Sequence, residues 1–492
     1  MAEAIKAFAH EKNCRIDKYL KNMLEDIKSF KDADISVPTI NGELKHYQEE
    51  GFKWLKILAG YNMGGILADD MGLGKTLQLI TLIKSDRTAA PSLVVCPKSL
   101  VFNWQREFGK FDGATEVISI SGSAAQRGEI ISAIDYKKKA VYLTSYDSLR
   151  NDIAGYTGKF NYCVLDEAQY IKNVNAQKTK SVKELKAAHR FALTGTPIEN
   201  SVIDLWSIFD FIMPGYFEEL SDFKTGYTKN DEYTALIAKK AAPFILRRVK
   251  EDVLTELPPK FELVMSAELM PEQRKLYDAM IADAAAKLNA GGKAFDILPY
   301  LTRLRQVCVD PGMFVENYTG GSGKLNLLET LIPDYIQKGH RLLVFSQFVK
   351  GLESLAAVLN RLNIPYYMLT GATEASKRAE MTDEFNNGGG TDVFLISLKA
   401  GGTGLNLTGA DTVIHLDPWW NTAAENQASD RTHRIGQTRN VEVIKLIAEN
   451  SIEQRVIELQ QLKKDLIDKV ISDDDNSITG AALEDIAFIL KK

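Results

Sequence analysis

The stretch "ILADDMGLGKTLQLI" (66–80) sets a glycine-rich loop between an apolar run and an amphipathic one. Gly72 and Gly74 let backbone N–H groups turn inward around an anion. Lys75 can reach β and γ phosphates, and the Thr76 hydroxyl can hold Mg2+. The strict phosphate-loop pattern asks for glycine where this chain has Asp69, but strand, loop and helix fall in the required order. Further along, "YCVLDEAQ" ends an apolar run on Asp166 and Glu167. Asp166 suits a Mg2+ ion held through water, and Glu167 suits a base that orients and deprotonates the attacking water. Alone, either motif also fits a glycine turn or a solvent-facing acidic pair; together they describe a nucleotidase. Gln48, in "LKHYQEEGFKWL", carries both a donor and an acceptor that can read an adenine edge, or it is a surface helix residue. A third cluster, "SDRTHRIGQTRN" (429–440), gathers three arginines and a histidine around one carboxylate. It fits a solvated turn, a nucleic-acid contact, or a grip on a phosphate held elsewhere in the chain.

These groups need elements to position them. Short apolar runs alternate with amphipathic helices: "MGGILA" (63–68), "SLVVC" (92–96), "AVYLTS" (140–145), "YCVLD" (162–166) and "RFALT" (190–194). The rhythm stops near 200 and resumes with "RLLVFS" (341–346), "YYMLT" (366–370), "DVFLIS" (392–397), "TVIHLD" (412–417) and "VEVIKLI" (441–447). Buried strands alternating with helices predict parallel sheets covered on both faces, with ligand chemistry at the C-terminal strand ends. The expected organisation is a helical segment over 1–40, a first α/β lobe over 41–249 with a helical protrusion at about 201–245, a second lobe over 250–448 with a helical insertion at about 271–312, and a helical extension over 449–492.

Composition bounds the rest. The 492 residues exceed one ordinary core. A net charge of −5, from 60 basic and 65 acidic residues, confines any polyanion site to a local stripe. Cys14, Cys96, Cys163 and Cys308 form no CxxC pair, so reduced and mostly buried thiols are expected rather than a disulfide framework or a zinc cluster. No apolar run reaches the ~18 residues of a membrane span, and the N-terminus lacks a signal pattern.

In chain order, "DDMGLGKT", "DEAQ", "LTGTPIEN", "LRRVKEDV", "LPPK", "LRQVCVDP", "SLKAGGTGLNLTGADTVIHLDPWWN" and "QASDRTHRIGQ" closely resemble the Swi/Snf-type ATPases of helicase superfamily two. The resemblance runs from about Leu44 to Ala448, and its last two blocks differ from those of DEAD-box RNA helicases. It implies two RecA-like lobes facing each other, with ATP and Mg2+ in the cleft and double-stranded DNA lying across both. The first lobe then supplies Gln48, Gly72, Gly74, Lys75, Thr76, Asp166 and Glu167, with Thr76 and Asp166 for the metal. The second supplies Gln427, Arg431 and Arg434, spaced by four and three residues on one helix face, to close on the γ-phosphate; Arg439 falls outside that motif. Thr194 and Thr196 look like the coupling motif. Contacts to the nucleic-acid backbone would come from Lys98, Ser99, Thr144, Ser145, Ser346, Gln347, Lys399 and Thr403, each of which also fits a plain loop residue. Trp419 and Trp420 either stack on nucleic acid or pack the core, and Arg247 and Arg248 either cross between lobes or cap a charged linker.

What the resemblance implies is an ATP-driven translocase on duplex DNA that remodels protein–DNA complexes without separating strands. The rival readings are an RNA-dependent ATPase or helicase, and a DNA-binding scaffold with a vestigial ATPase. The expected partners are double-stranded DNA and a DNA-bound protein target, with no membrane and a monomeric motor. The compact size leans towards a prokaryotic member, cytoplasmic and nucleoid-associated, or towards the motor core of a longer protein, nuclear if eukaryotic.

Overall fold

The computed structural model describes residues 18–195, 202–229, 231–254, 256–289, 294–401, 405–419, 422–434, 436–458 and 460–461. Thr196, Thr403, Trp420, Cys14 and the side chain of Lys399 lie outside the described parts. The chain divides into two compact units, 1–255 and 256–492.

The first unit is built on seven parallel strands: β1 (Gly65–Leu67), β2 (Ser92–Cys96), β3 (Val117–Ser119), β4 (Val141–Ser145), β5 (Lys159–Asp166), β6 (Lys186–Leu193) and β7 (Ile245–Leu246), in the order β3-β4-β2-β5-β6-β1-β7. The four helices that matter for function are α1 (His46–Gly60), α2 (Lys75–Ser85), α3 (Val101–Phe111) and α4 (Tyr146–Asp152). Helices Val202–Ile212, Leu220–Lys229 and Asp231–Ala241 follow β6, as the loss of strand rhythm after 200 predicts.

The second unit carries six parallel strands: β8 (Lys260–Ala267), β9 (Leu342–Ser346), β10 (Tyr366–Leu369), β11 (Val393–Ser397), β12 (Thr412–His415) and β13 (Val441–Ala448), in the order β10-β11-β9-β12-β13-β8. Side chains alternate across this sheet. Along β9, Leu342 and Val344 join one apolar cluster, while Leu343 and Phe345 join the other. Strands β11, β12 and β13 divide in the same way, so both faces are covered and the unbroken apolar runs are explained. The helices used below are α5 (Ala294–Val309), α6 (Gly323–Gln337) and α7 (Thr422–Ser429).

The ten apolar runs read from the sequence all fall on strands. Three strands went unread, each at a sheet edge. Strand β3 has three half-buried residues, and β7 is two residues long. In β8, Phe261, Glu262, Leu263 and Val264 are all exposed, so no alternation marks it. Cys96, Cys163 and Cys308 are free thiols in the core, where burial pushes Cys163 up to about 12.

Candidate nucleotide site

The glycine loop joins β1 to α2 and closes in left-handed backbone. Gly72 has φ 89° and Gly74, the N-cap of α2, has φ 78°. A Cβ on Gly74 would also meet Gln48 Nε2 at 2.4 Å, so glycine is required there twice over. Gln48 is buried, and both ends of its amide are engaged. Nε2 donates to the Leu73 carbonyl at 3.1 Å, and Oε1 accepts from Lys45 N at 2.9 Å. In this geometry Gln48 braces the loop.

Lys75 opens α2 and folds back over the loop, where Nζ donates to the carbonyls of Asp69 at 2.6 Å and Asp70 at 3.3 Å. Desolvation lowers its pKa, opposed by the charges of Glu167, Asp69, Asp166 and Asp70. Those acids place the lysine beside the end of β5. A phosphate arriving here meets a cation with displaceable carbonyl partners and the N-terminus of an eleven-residue helix.

Asp69, the departure from the phosphate-loop pattern, is fully buried and faces away from any ligand role. Arg248 grips it through Nε–H to Oδ1 at 2.8 Å and Nη2–H to Oδ2. Gln78 donates to Oδ2 at 3.1 Å and accepts from Arg248 at 2.9 Å, and Arg248 also donates to the Tyr47 carbonyl. Asp70 continues the seam, its N–H donating to the Arg248 carbonyl at 2.9 Å and its carboxylate accepting from Lys250 N at 3.2 Å. A Cβ on Gly51 would meet Gln78 Oε1 at 1.8 Å, so α1 stays bare there to admit the cluster. Both residues whose carbonyls hold Lys75 are therefore tied to the segment 246–250. Arg247 is exposed beside it.

Asp166 ends β5 with both carboxylate oxygens held. Oδ2 accepts from the Trp104 indole at 2.7 Å, and Oδ1 accepts from Glu167 N at 2.9 Å. Burial pushes its pKa up to about 7, helped by the neighbouring Glu167 charge and opposed by the Trp104 hydrogen bond and Lys75. Glu167 follows in left-handed backbone, φ 53°, a conformation that re-aims its side chain at some cost. A relay fixes that side chain: Thr194 Oγ donates to Gln169 Oε1 at 3.0 Å, and Gln169 Nε2 donates to Glu167 Oε2 at 2.8 Å. Thr194 stands just past β6, so the threonine of "LTGTP" reaches the acidic pair through Gln169. Hard oxygen donors at Thr76 and Asp166, with one carboxylate rather than an all-protein cage, fit a Mg2+ ion that shares its shell with phosphates.

In the second unit α7 ends at Ser429, so Gln427 lies on the helix while Arg431 and Arg434 follow it in a tight turn. The single-face expectation is corrected here. Arg431 N and Thr432 N bond carbonyls three residues back, and the Ser429 hydroxyl hydrogen-bonds the Glu425 carbonyl and His415. Arg431 is buried. Arg434 is half-buried and donates to the Leu405 carbonyl at 3.1 Å. Arg439 is bound to Asp411 at 3.1 Å and to the Gly339 carbonyl at 2.9 Å.

The residues expected at the nucleic-acid backbone fall in different settings, some exposed and some engaged within the fold. Lys98 and Ser99 are exposed after β2, as a backbone grip needs. Thr144 and Ser145 are buried, and Ser145 caps α4 by accepting from Ser148 N. Ser346 has no exposed surface and donates to Asp417. Gln347 Oε1 accepts from Arg305 at 2.6 Å, and Trp419 packs its ring over the same guanidinium at 5.0 Å. Arg305, on α5, also binds Asp417 at 3.1 Å and the Pro418 carbonyl at 2.7 Å, so it organises the loops after β9 and β12. Lys324, on α6, is wholly buried beneath them and donates to the carbonyls of Leu416 and Leu446 while pairing with Glu453 at 2.6 Å. Sequence reasoning missed Trp104, Gln169, Arg305 and Lys324. The one signal was their setting, a polar group inside an otherwise apolar helix face or beside a motif.

With this geometry in view, the SNF2-related domain matches residues 47–313 and the helicase conserved C-terminal domain matches residues 323–436. The chain belongs to the SNF2-related family of helicase-like ATPases. It is 38% identical over 457 residues to an uncharacterised ATP-dependent helicase of Mycoplasma genitalium, covering 90% of this chain and 44% of that protein. It is 35% identical to a putative ATP-dependent helicase/translocase of Bacillus subtilis, covering 91% of this chain and 51% of the other. The solved SWI2/SNF2 ATPase core of Sulfolobus solfataricus in complex with dsDNA is 34% identical, with a TM-score of 0.46, over 88% of this chain and 93% of that one. This SNF2-related chain thus spans about half the length of the two bacterial relatives. No helix among the described residues is long and apolar enough to cross a membrane.

The raised pKa of Asp166 has a stability consequence of fixed sign. A carboxyl whose folded pKa exceeds its unfolded value contributes stability at low pH and loses it as pH rises through the folded value. Metal-free Asp166→Asn protein is therefore expected to gain stability over the parent as pH rises from 5 to 7, with the gain levelling off above a pKa of about 7. Paired thermal melts across that range check this; a pH-independent difference contradicts it.

Proposed function

We propose that this SNF2-related chain is an ATP-driven translocase on double-stranded DNA that remodels protein–DNA complexes without separating the strands. The observation that carries the reading is one cluster in the first unit. Lys75 sits on displaceable loop carbonyls beside Asp166, and Glu167 is aimed by Gln169 and Thr194. In the proposed cycle Lys75 leaves the carbonyls of Asp69 and Asp70 for the β and γ phosphates, while the N–H groups around Gly72 and Gly74 hold the phosphate chain. Glu167 orients a water and takes its proton as that water's oxygen attacks the γ-phosphorus and the bond to the β–γ bridging oxygen breaks. Thr76 and Asp166 would hold Mg2+, which when bound neutralises charge on the phosphates. Arg434, Arg431 and Gln427 of the second unit are assigned to the γ-phosphate, so that turnover depends on both units.

The name of the Bacillus relative supports translocation. Exposed Lys98 and Ser99 after β2 suit a grip on the phosphate backbone, which positions a duplex without reading bases.

Duplex DNA is expected to stimulate ATP hydrolysis more than RNA does, and Glu167→Gln is expected to keep ATP affinity while losing turnover by about 10²–10⁴-fold, the usual worth of a positioned base. Stronger stimulation by RNA, or an unchanged rate in the variant, contradicts the reading. Arg434→Ala is expected to keep duplex affinity and its salt dependence while turnover falls ~10³-fold or more. A large loss of duplex affinity with a normal basal rate would instead return the arginines to nucleic-acid binding.

A further inference from the structure

The two strand-end loops expected at the DNA backbone both deliver a side chain to Asp166. After β2, a 3-10 turn (Lys98–Leu100) runs directly into α3. Lys98 and Ser99 are exposed, whereas Leu100, Trp104 and Phe108, each one turn further on, are buried. Trp104 has no exposed surface, and its Nε1–H donates to Asp166 Oδ2 at 2.7 Å. After β4, Tyr146 opens α4 and donates its hydroxyl to the Asp166 carbonyl at 2.8 Å, its ring stacked on Tyr170 at 5.2 Å.

Indole has a single donor and no acceptor, so its one hydrogen bond carries direction. Phenylalanine or leucine would fill this part of the core without it. Here the donor holds one oxygen of the carboxylate nominated for the metal, while Glu167 N holds the other. Hydrogen bonds weaken steeply as their angle closes. A small tilt of α3 at its exposed end therefore changes how Asp166 is held, one turn of helix away.

We infer that Trp104 is a positioning residue through which duplex DNA, touching the loop at Lys98 and Ser99, sets the orientation of the Asp166 carboxylate and raises the rate of ATP hydrolysis. This rests on the duplex-DNA reading above. Tyr146 supplies a second link from the loop after β4, where buried Ser145 caps the helix that Tyr146 opens.

The test uses the full chain, a short duplex and two readouts. Trp104→Phe removes the N–H and keeps an aromatic ring. It is expected to bind the duplex with the parent's affinity, yet the factor by which saturating duplex raises the ATPase rate should fall about tenfold, within the ~5–150-fold span of typical site-to-site coupling. Equal loss of basal and stimulated rates, or an intact stimulation factor, overturns the inference and leaves the duplex reading standing. A parent enzyme that duplex does not stimulate overturns both. The second readout needs no turnover. Fluorotryptophan labelling gives one fluorine NMR resonance for each of the five indoles. That of Trp104 is identified by its loss in Trp104→Phe, or by elimination from the other four Trp→Phe variants should that protein not fold. Duplex added without nucleotide is expected to shift this resonance, and Lys98→Ala to reduce the shift. A resonance that stays in place with duplex bound overturns the inference.

Discussion

A carboxylate taken out of water at the end of a parallel strand must be answered by donors, because an unpaired buried charge is strongly unfavourable. Asp69, Asp166 and Asp417 all stand in that position, after β1, at the end of β5 and after β12. The donors chosen decide what each can do. Asp69 is locked by the fork of Arg248 and by Gln78, and Asp417 by Arg305, Ser346 and Gln347 N. These two fasten loops to the framework. Among the described residues, the Asp166 carboxylate accepts from two neutral N–H donors, Trp104 and Glu167 N, with the Lys75 charge nearby. Burial raises Asp417 as well, to about 6, so the kind of partner separates anchor from ligand and the pKa does not.

The same logic accounts for which parts of the chain could be read in advance. Strands buried on both faces announce themselves as unbroken apolar runs, and all ten such runs fold as strands. The phosphate loop and the acidic pair were legible because their chemistry needs particular residue types at adjacent positions. Buried partners distant in sequence were not legible. Nothing local marks Arg248 as the partner of Asp69, 179 residues away, or Trp104 as the donor to Asp166, 62 residues away. The hydroxyls of Thr144 and Ser346 misled for a related reason: strand-end polar residues look like ligand contacts, whereas here the fold buries them. Arg431 and Arg434 leave the helix face of Gln427 because α7 stops at Ser429, whose hydroxyl bonds the Glu425 carbonyl.

Mechanically, the first unit ties three things to one strand end. The loop that holds Lys75 is fastened through Asp69 and Asp70 to residues 246–250, just before the chain leaves the unit. Glu167 is steered by Thr194 through Gln169. Asp166 is steered from α3 and α4. In the second unit, Lys324 binds the Leu416 carbonyl after β12, and Arg305 ties that loop to Gln347 after β9.

In the proposed cycle Lys75 exchanges the Asp69 and Asp70 carbonyls for phosphate oxygens. The most direct measurement is therefore the equilibrium affinity of Mg·ADP for the parent chain and for Lys75→Ala, by titration calorimetry at matched pH and salt. Loss of a charge-assisted hydrogen bond worth roughly 1.5–3 kcal/mol predicts about 10–150-fold weaker binding, with the fold intact by circular dichroism. Equal affinities in the two proteins would place the nucleotide elsewhere and contradict the account.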